Sequence, residues 1–263
     1  LCDAYGNGSI RLTTRQSVQF HGVLQGDLRA LIREIDGALL TTLSACGDVE
    51  RNVMATAAPI DSEAHREVQR VAREIARELR PQTGAYHEIW IDGEKVLTSD
   101  DGNEEPFYGE TYLPRKFKTG VALDSDNSVD AFAYDCGLIG LTEGRGAARR
   151  VTRYVLLAGG GMGLTHKKAD TFARIATPIG TVAPEHAVEA VRAVASILRD
   201  FGNRSDRRHA RLKYLLEEWG IERFRAMVQE RVAWTLEPPA ELPRLEHLDY
   251  LGLHDQGDGK RFY

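Results

Sequence analysis

Cysteine is scarce. Cys2, Cys46 and Cys136 are odd in number, far apart, and form no Cys-x-x-Cys pair. Such usage argues against a disulfide framework, and the three alone make neither a zinc site nor a cysteine-held iron–sulfur site. It fits a reducing compartment: the cytoplasm or, in a plant or alga, a plastid. Long apolar runs are missing too. The longest, Val155-Leu-Leu-Ala158, runs straight into glycines, far short of the roughly 20 residues that span a bilayer, so no membrane span is expected. Positive charge is not in excess: 34 Lys and Arg against 39 Asp and Glu give a net charge of −5. That argues against a general nucleic-acid binder. What is present is ordinary globular stock, 42% hydrophobic and 28% charged with 25 Gly and 9 Pro, not a collagenous, low-complexity or disordered chain. The 263 residues allow one large domain or two modules sharing a core. No initiator Met or signal peptide opens the sequence, and it stops at Gly257-Asp-Gly-Lys-Arg-Phe-Tyr263. These ends lead us to expect an internal stretch of a longer protein.

Residues 9–24 alternate imperfectly (Ile10, Leu12, then Val18, Phe20, Val23) and read as a strand or two. Asp27 is a candidate cap for a helix carrying Leu28, Leu31, Ile32 and Ile35, stopped by Gly37. After an irregular stretch at 41–59, Ser62 starts the clearest helix. Its stripe is Val68, Val71, Ala72, Ile75, Ala76 and Leu79, ended by Pro81. A hairpin is expected over 86–96, with Asp92-Gly93 at the turn and Ile89 and Ile91 on one face, then an acidic loop at 99–110. Further strands are expected at 112–123, 131–141 and 152–158. Pro184 opens a helix bearing Val188, Val191, Ala195 and Leu198, closed by Gly202. Two more helices, about 206–219 and 221–233, meet at Gly220, and the Pro-rich remainder looks irregular. Strands mixed with long amphipathic helices make an α+β protein, a mixed sheet with packed helices, and not a strict βαβ repeat.

Several segments concentrate cations. In Tyr112-Leu-Pro-Arg-Lys-Phe-Lys118, strand alternation puts Lys116 and Lys118 on one face and Arg115 and Phe117 on the other. Two ammonium groups so placed repel unless an anion sits between them; a solvated edge strand guarded by lysines is the alternative. Arg11 and Arg15 are four apart in a Thr-rich strand, with Gln19 and His21 continuing their face. Such a face suits carboxylates or plain solvent. Arg51 reads as an exposed loop residue. The run Gly159-Gly-Gly-Met-Gly163 follows an apolar strand but fits neither Gly-x-Gly-x-x-Gly nor a P-loop. It allows close backbone approach to a flat or anionic ligand, or simply a tight connection. His65, His186 and His209 have no second His at i+4, so no metal site is expected. The basic run Arg204 to Lys213 reads as a solvated helical face.

Together these segments resemble the siroheme-containing sulfite and nitrite reductases. The likeness runs over nearly the whole chain: Gly6-Asn-Gly-Ser-Ile-Arg-Leu-Thr-Thr-Arg-Gln16 with Phe20-His-Gly22, and Ala45-Cys-Gly-Asp48 with Arg51-Asn-Val53. It continues through Tyr112 to Lys118, Gly159 to Gly163, and Gly202-Asn-Arg-Ser-Asp-Arg207 with Arg211-Leu-Lys-Tyr214. The resemblance gives the scattered cations a common partner, since siroheme is an iron tetrapyrrole rimmed with carboxylates. It implies cofactor contacts at Arg11, Thr13, Arg15, Gln19, His21, Asn52 and Arg115, with Gly159, Gly160 and Gly161 near the macrocycle as backbone. It implies that Arg51, Lys116 and Lys118 surround the substrate anion and are the catalytic cations. The implied activity is six-electron reduction of sulfite to sulfide at a siroheme–[4Fe-4S] centre, fed by ferredoxin or a flavoprotein reductase.

The resemblance also implies a hemoprotein-like α+β fold with part of a ferredoxin-like half-domain at 1–43, a siroheme-binding module at 44–204, and helices with a linker at 205–263. In the family, two Cys pairs hold the cluster, one cysteine also ligating the siroheme iron. None of the three cysteines falls in such a pair, so the cluster ligands are expected outside this chain. A further substrate-binding arginine is expected upstream of residue 1. Ala45-Cys-Gly-Asp48, Tyr250-Leu-Gly252 and Gln256-Gly-Asp-Gly259 look closer to ferredoxin-dependent than to NADPH-dependent enzymes. The lysine pair favours sulfite over nitrite. The alternatives are nitrite reduction to ammonia, a non-catalytic tetrapyrrole-binding homologue, and an anion-binding structural domain without haem.

Overall fold

The computed structural model describes residues 1–82, 88–91, 94–98 and 105–263. A short turn of helix α1 (Cys2–Tyr5) leads into an antiparallel hairpin, β1 (Ile10–Leu12) and β2 (Val18–Phe20), and then helix α2 (Leu28–Gly37). Next come β3 (Met54–Ala55), α3 (Glu63–Glu78), the antiparallel pair β4 (Glu88–Ile91) and β5 (Glu94–Thr98), and β6 (Thr119–Leu123). The chain continues through β7 (Cys136–Glu143), β8 (Arg150–Ala158), β9 (Thr177–Val182), α4 (Ala187–Phe201), α5 (Leu212–Trp219) and α6 (Ile221–Gln229). It ends in a two-stranded ribbon, β10 (His254–Asp255) with β11 (Arg261–Phe262).

The central sheet has five strands in the order β3-β6-β7-β8-β9. The pairs β3–β6 and β6–β7 are parallel, whereas β7–β8 and β8–β9 are antiparallel. This is the expected mixed sheet. Alternation along the strands splits the core. Val121, Leu123, Leu138 and Leu156 face the principal cluster under α3, α4, α5 and α6, which extends as far as Leu236. Ala122, Ile139, Val155 and Leu157 face a second cluster covered by Leu242 and Leu245 of the C-terminal segment. A sheet buried on both faces explains why its strands read as continuous apolar runs.

Local signals account for most elements. Ser62 caps α3, its hydroxyl accepting from the His65 backbone N–H at 3.2 Å. Gly220 separates α5 from α6 at φ 74°, a left-handed value that favours glycine. Asp27 precedes α2 but makes no side-chain cap bond.

Several expected boundaries shift. The helix expected from 206 begins at Leu212, because Asn203 Oδ1 and Asp206 Oδ1 accept backbone N–H groups two to three residues ahead and hold 203–208 in turns. The strand expected at 131–141 starts only at Cys136, after a 3-10 turn at Ala131–Ala133. The run expected at 112–123 is regular strand only from Thr119, and the helix expected at 221–233 stops at Gln229. Strand β9 was not foreseen, and its Pro178 is tolerated because β9 is a sheet edge. Two stretches expected to be irregular contain β3 and the β10–β11 ribbon. The ribbon is held by Tyr250, His254 and Phe262, ring centroids 5.5 to 5.9 Å apart. The expected Asp92-Gly93 turn and the acidic loop at 99–104 lie outside the described residues. Among the described residues, no helix is long and apolar enough to cross a membrane.

Candidate anion-binding cleft

The hairpin β1–β2 closes through a tight turn. The Thr13 hydroxyl accepts from the backbone N–H groups of Arg15 and Ser17 at 3.3 and 3.2 Å, and Gln16 adopts φ 53°. The alternation predicted a shared strand face for Arg11 and Arg15, but the strand ends at Leu12 and they do not share one. Arg11 lies exposed on β1 opposite Gln19, while Arg15 sits in the turn. From there Arg15 reaches Asn52: its Nε donates to Asn52 Oδ1 at 3.2 Å, its Nη2 donates to the Asn52 carbonyl, and its guanidinium stacks 4.8 Å from the Tyr134 ring centroid. Its remaining nitrogen, Nη1, is buried without a partner.

A second pairing supplies the opposite wall. The run before β3 lies parallel to the run before β6: Phe117 N donates to the Val49 carbonyl at 3.0 Å, and Arg51 N to the Phe117 carbonyl at 2.9 Å. Alternation then turns Arg51, Lys116 and Lys118 outward, with Phe117 in the core at 0% exposure. The expected separation of the lysines from Phe117 holds. Arg115 departs from it, since residues 114–115 bend and leave its side chain half-exposed, 4.0 Å from Asp48.

Thr13, Arg15, Gln19, Arg51, Asn52, Lys116 and Lys118 all line one cleft of about 750 Å³. Arg51 is tethered there by its Nε on the Gly47 carbonyl at 2.8 Å and its Nη1 on the Ala45 carbonyl at 3.1 Å. It is therefore held in place rather than a free loop residue. Burial lowers Lys118 to about 8, with Arg15, Lys116 and Arg211 adding to the effect and Asp135 opposing it. Lys116 is lowered for the same reason, reinforced by Arg115, Arg211 and Arg51. His21 lies half-buried just past β2, outside the cleft lining, with its Nε2 buried and unpartnered.

Lys116 also borders a second cationic hollow of about 400 Å³, shared with Arg115, Arg207, Arg208, Arg211 and Lys213. Sequence reasoning missed the last four as site residues by treating 204–213 as a solvated helical face. Lys213 is only 1% exposed, and its Nζ donates to the carbonyls of Gly163 at 2.7 Å, Gly161 at 3.2 Å and Phe172. Arg211 forms a two-pronged pair with the buried Asp135, Nε to Oδ1 at 3.1 Å and Nη2 to Oδ2 at 2.8 Å. Ala210 and Leu212, apolar and buried between these cations, were the local sign that the run is not wholly solvated.

Gly159, Gly160 and Gly161 are buried, and the space beside them belongs to the protein itself. A Cβ on Gly160 would strike the carbonyl oxygens of Phe132 and Tyr134, and one on Gly161 the Arg211 guanidinium at 2.7 Å. Gly163, by contrast, has open space and borders the second hollow. Cys46 is exposed, Cys136 buried and Cys2 intermediate. Among the described residues, no three His, Cys, Asp or Glu side chains gather as a metal-binding group.

Comparison with known proteins identifies the family and the fold. The family described as "Nitrite and sulphite reductase 4Fe-4S domain" matches residues 71–236, and "Nitrite/Sulfite reductase ferredoxin-like half domain" matches residues 1–38. The sulfite reductase [ferredoxin] of Synechococcus elongatus is 46% identical over 100% of this chain and 44% of its own length. The sulfite reductase [NADPH] hemoprotein beta-component of Methylorubrum populi is 45% identical over 99% of this chain and 42% of its own. The Mycobacterium tuberculosis NirA protein superposes with a TM-score of 0.68 at 25% identity, covering 96% of this chain and 40% of that one. Dissimilatory sulfite reductase I shares the fold, with a TM-score of 0.58 at 11% identity over 96% of this chain and 68% of that one. The chain thus spans less than half the length of these curated relatives. With a family match over more than half its residues and relatives near 45% identity along its whole length, the chain belongs to the nitrite and sulfite reductase family.

Proposed function

We propose that this chain is the part of a sulfite reductase that holds siroheme and faces the substrate, in an enzyme that reduces sulfite to sulfide. The observation that carries the reading is the cleft in which Arg15, Arg51, Lys116 and Lys118 converge inside a protein of net charge −5. Cations brought together against their mutual repulsion call for an anionic ligand. The residues present fit siroheme. Arg15 Nη1 is buried with no acceptor of its own, as a donor awaiting a carboxylate would be. Arg115 borders the adjoining hollow and suits a further carboxylate of the same rim.

When bound, siroheme with its [4Fe-4S] cluster would relay the donor's electrons and supply the redox-active iron. The protein does the rest. Arg51, tethered to two carbonyls, presents a fixed charge that orients the anion. Lys116 and Lys118 neutralise the oxygens that leave as water. With its value near 8, Lys118 carries a proton at neutral pH and gives it up more readily than an ordinary lysine, as a repeated proton donor must. Asn52 keeps Arg15 in register with this group.

A ferredoxin-type donor is the partner we favour, on the likeness of Ala45-Cys-Gly-Asp48, Tyr250-Leu-Gly252 and Gln256-Gly-Asp-Gly259 to ferredoxin-dependent enzymes. The test is a full-length protein carrying this chain. It should show tetrapyrrole absorption and turn over sulfite faster than nitrite, and faster with reduced ferredoxin than with an NADPH-fed flavoprotein. Absence of the absorption bands would overturn the reading, and preference for nitrite would replace sulfite with the other substrate of the family.

A further inference from the structure

Beneath the cleft lies an acid that the reading above does not use. Glu50 neighbours Arg51 and bridges Phe117, so the alternation that turns Arg51 and Lys118 outward turns Glu50 and Thr119 inward. Glu50 is 2% exposed and Thr119 0%. The carboxylate receives two bonds, both from Thr119: the backbone N–H donates to Oε1 at 3.1 Å and the hydroxyl donates to Oε2 at 2.9 Å. That N–H belongs to the peptide joining Lys118 to Thr119. The acid is thus bonded to the link that carries the lysine.

We propose that Glu50 is a positioning residue for Lys118, a buried acid that acts through the Lys118–Thr119 peptide to govern how firmly the lysine holds its proton. The proposal rests on the reading of Lys118 as a cation facing the substrate. A carboxyl buried with no direct ion-pair contact is costly, and an apolar residue would fill the same space without that cost. Its presence therefore has an electrostatic consequence. Burial raises Glu50 to about 8, the range to which Lys118 is lowered. An ionised Glu50, bonded to the peptide that carries Lys118, favours the lysine's charged form. The surrounding charges act on both groups. Arg15 favours ionised Glu50 and opposes charge on Lys118, whereas Asp135 does the reverse. Lys116 and Arg211 face Lys118, while Tyr108 and Cys136 feel Glu50.

The test is competitive acetylation of Lys118 across pH in the full-length, cofactor-bearing protein, read by mass spectrometry of its peptide. Glu50→Gln, which keeps the side chain's shape, should move the Lys118 midpoint down by about half a pKa unit, the two acetylation curves separating as pH rises through the range where wild-type Glu50 ionises. Glu50→Asp should restore the wild-type midpoint. An unchanged midpoint in Glu50→Gln overturns the proposal. Should that variant fail to fold, isosteric Thr119→Val removes the hydroxyl donor to Glu50 and should move the midpoint the same way; no movement there overturns it equally. Acetylation requires neither sulfite nor turnover, and siroheme content is read from absorption of the same samples. A wild-type protein without siroheme would overturn the proposed function while leaving the coupling to be measured.

Discussion

Arg15 and Asn52 grip each other from both sides. The arginine donates through Nε and Nη2 to the side-chain and main-chain oxygens of Asn52, and Asn52 Nδ2 donates back to the Arg15 carbonyl. The turn between β1 and β2 is thereby locked to the run before β3, which fixes one cleft wall against the other. Asn52→Ala should lower siroheme occupancy of the full-length protein while removing no charge. Occupancy equal to wild type would mean that the turn is held by other contacts.

The glycines of the 159–163 run should respond unequally. Gly160→Ala forces backbone apart and should cost about 1–3 kcal/mol or more, lowering the thermal midpoint of unfolding. Gly163→Ala faces open space and should leave that midpoint unchanged. Equal effects would place the constraint elsewhere.

The Asp135–Arg211 pair is deeply placed, the acid 0% and the arginine 14% exposed at the side chain. Removing one partner strands the other charge, so Asp135→Asn should destabilise by about 3–5 kcal/mol. The Asp135→Leu, Arg211→Leu double variant should recover part of that loss. Denaturant unfolding of wild type, Asp135→Leu, Arg211→Leu and the double variant would decide it, and a double variant as unstable as the sum of its singles would contradict it.

Glu50 gives stability a pH dependence of known sign. Its carboxyl is raised from 4.5 in the unfolded chain to about 8 when folded. The folded state therefore binds the extra proton between those values, and stability falls as pH rises from 4.5 through 8. Glu50→Gln should flatten that fall and melt higher than wild type at pH 8. Parallel melting curves across this range would contradict the assignment.

Residues 1–43 carry much exposed apolar surface, with Leu12 77%, Leu24 69% and Leu39 95% exposed. If the 263-residue chain is expressed alone, limited proteolysis should cut within this region before the sheet and its helices, whose apolar residues are buried.

Much of this was legible in the sequence because its signals are local. The α3 stripe, the Ser62 cap and the Gly220 break depend on residues within a few positions of one another, and all appear as read. The lysine pair was legible for the same reason: Phe117 needs burial, and alternation carries Lys116 and Lys118 to the other side. Non-local partners were not legible. Nothing near Arg15 announces that Thr13 will cap a turn or that Asn52 will close on the guanidinium. Nor does the basic run announce that the Gly161 and Gly163 carbonyls will bury Lys213. Glu50 reads as an ordinary acidic neighbour of Arg51 until the parallel pairing with Phe117 turns it inward.

The central claim is that Arg51, Lys116 and Lys118 act on the substrate anion while Arg15 and other groups hold the cofactor. Lys118→Met in the full-length protein tests it most directly, with siroheme absorption and sulfite turnover measured on one preparation. The predicted result is absorption at wild-type strength with turnover reduced by about 10²–10³-fold, the usual loss when one preorganised charge donor is removed. Loss of siroheme from this variant, or undiminished turnover with siroheme in place, would contradict the account.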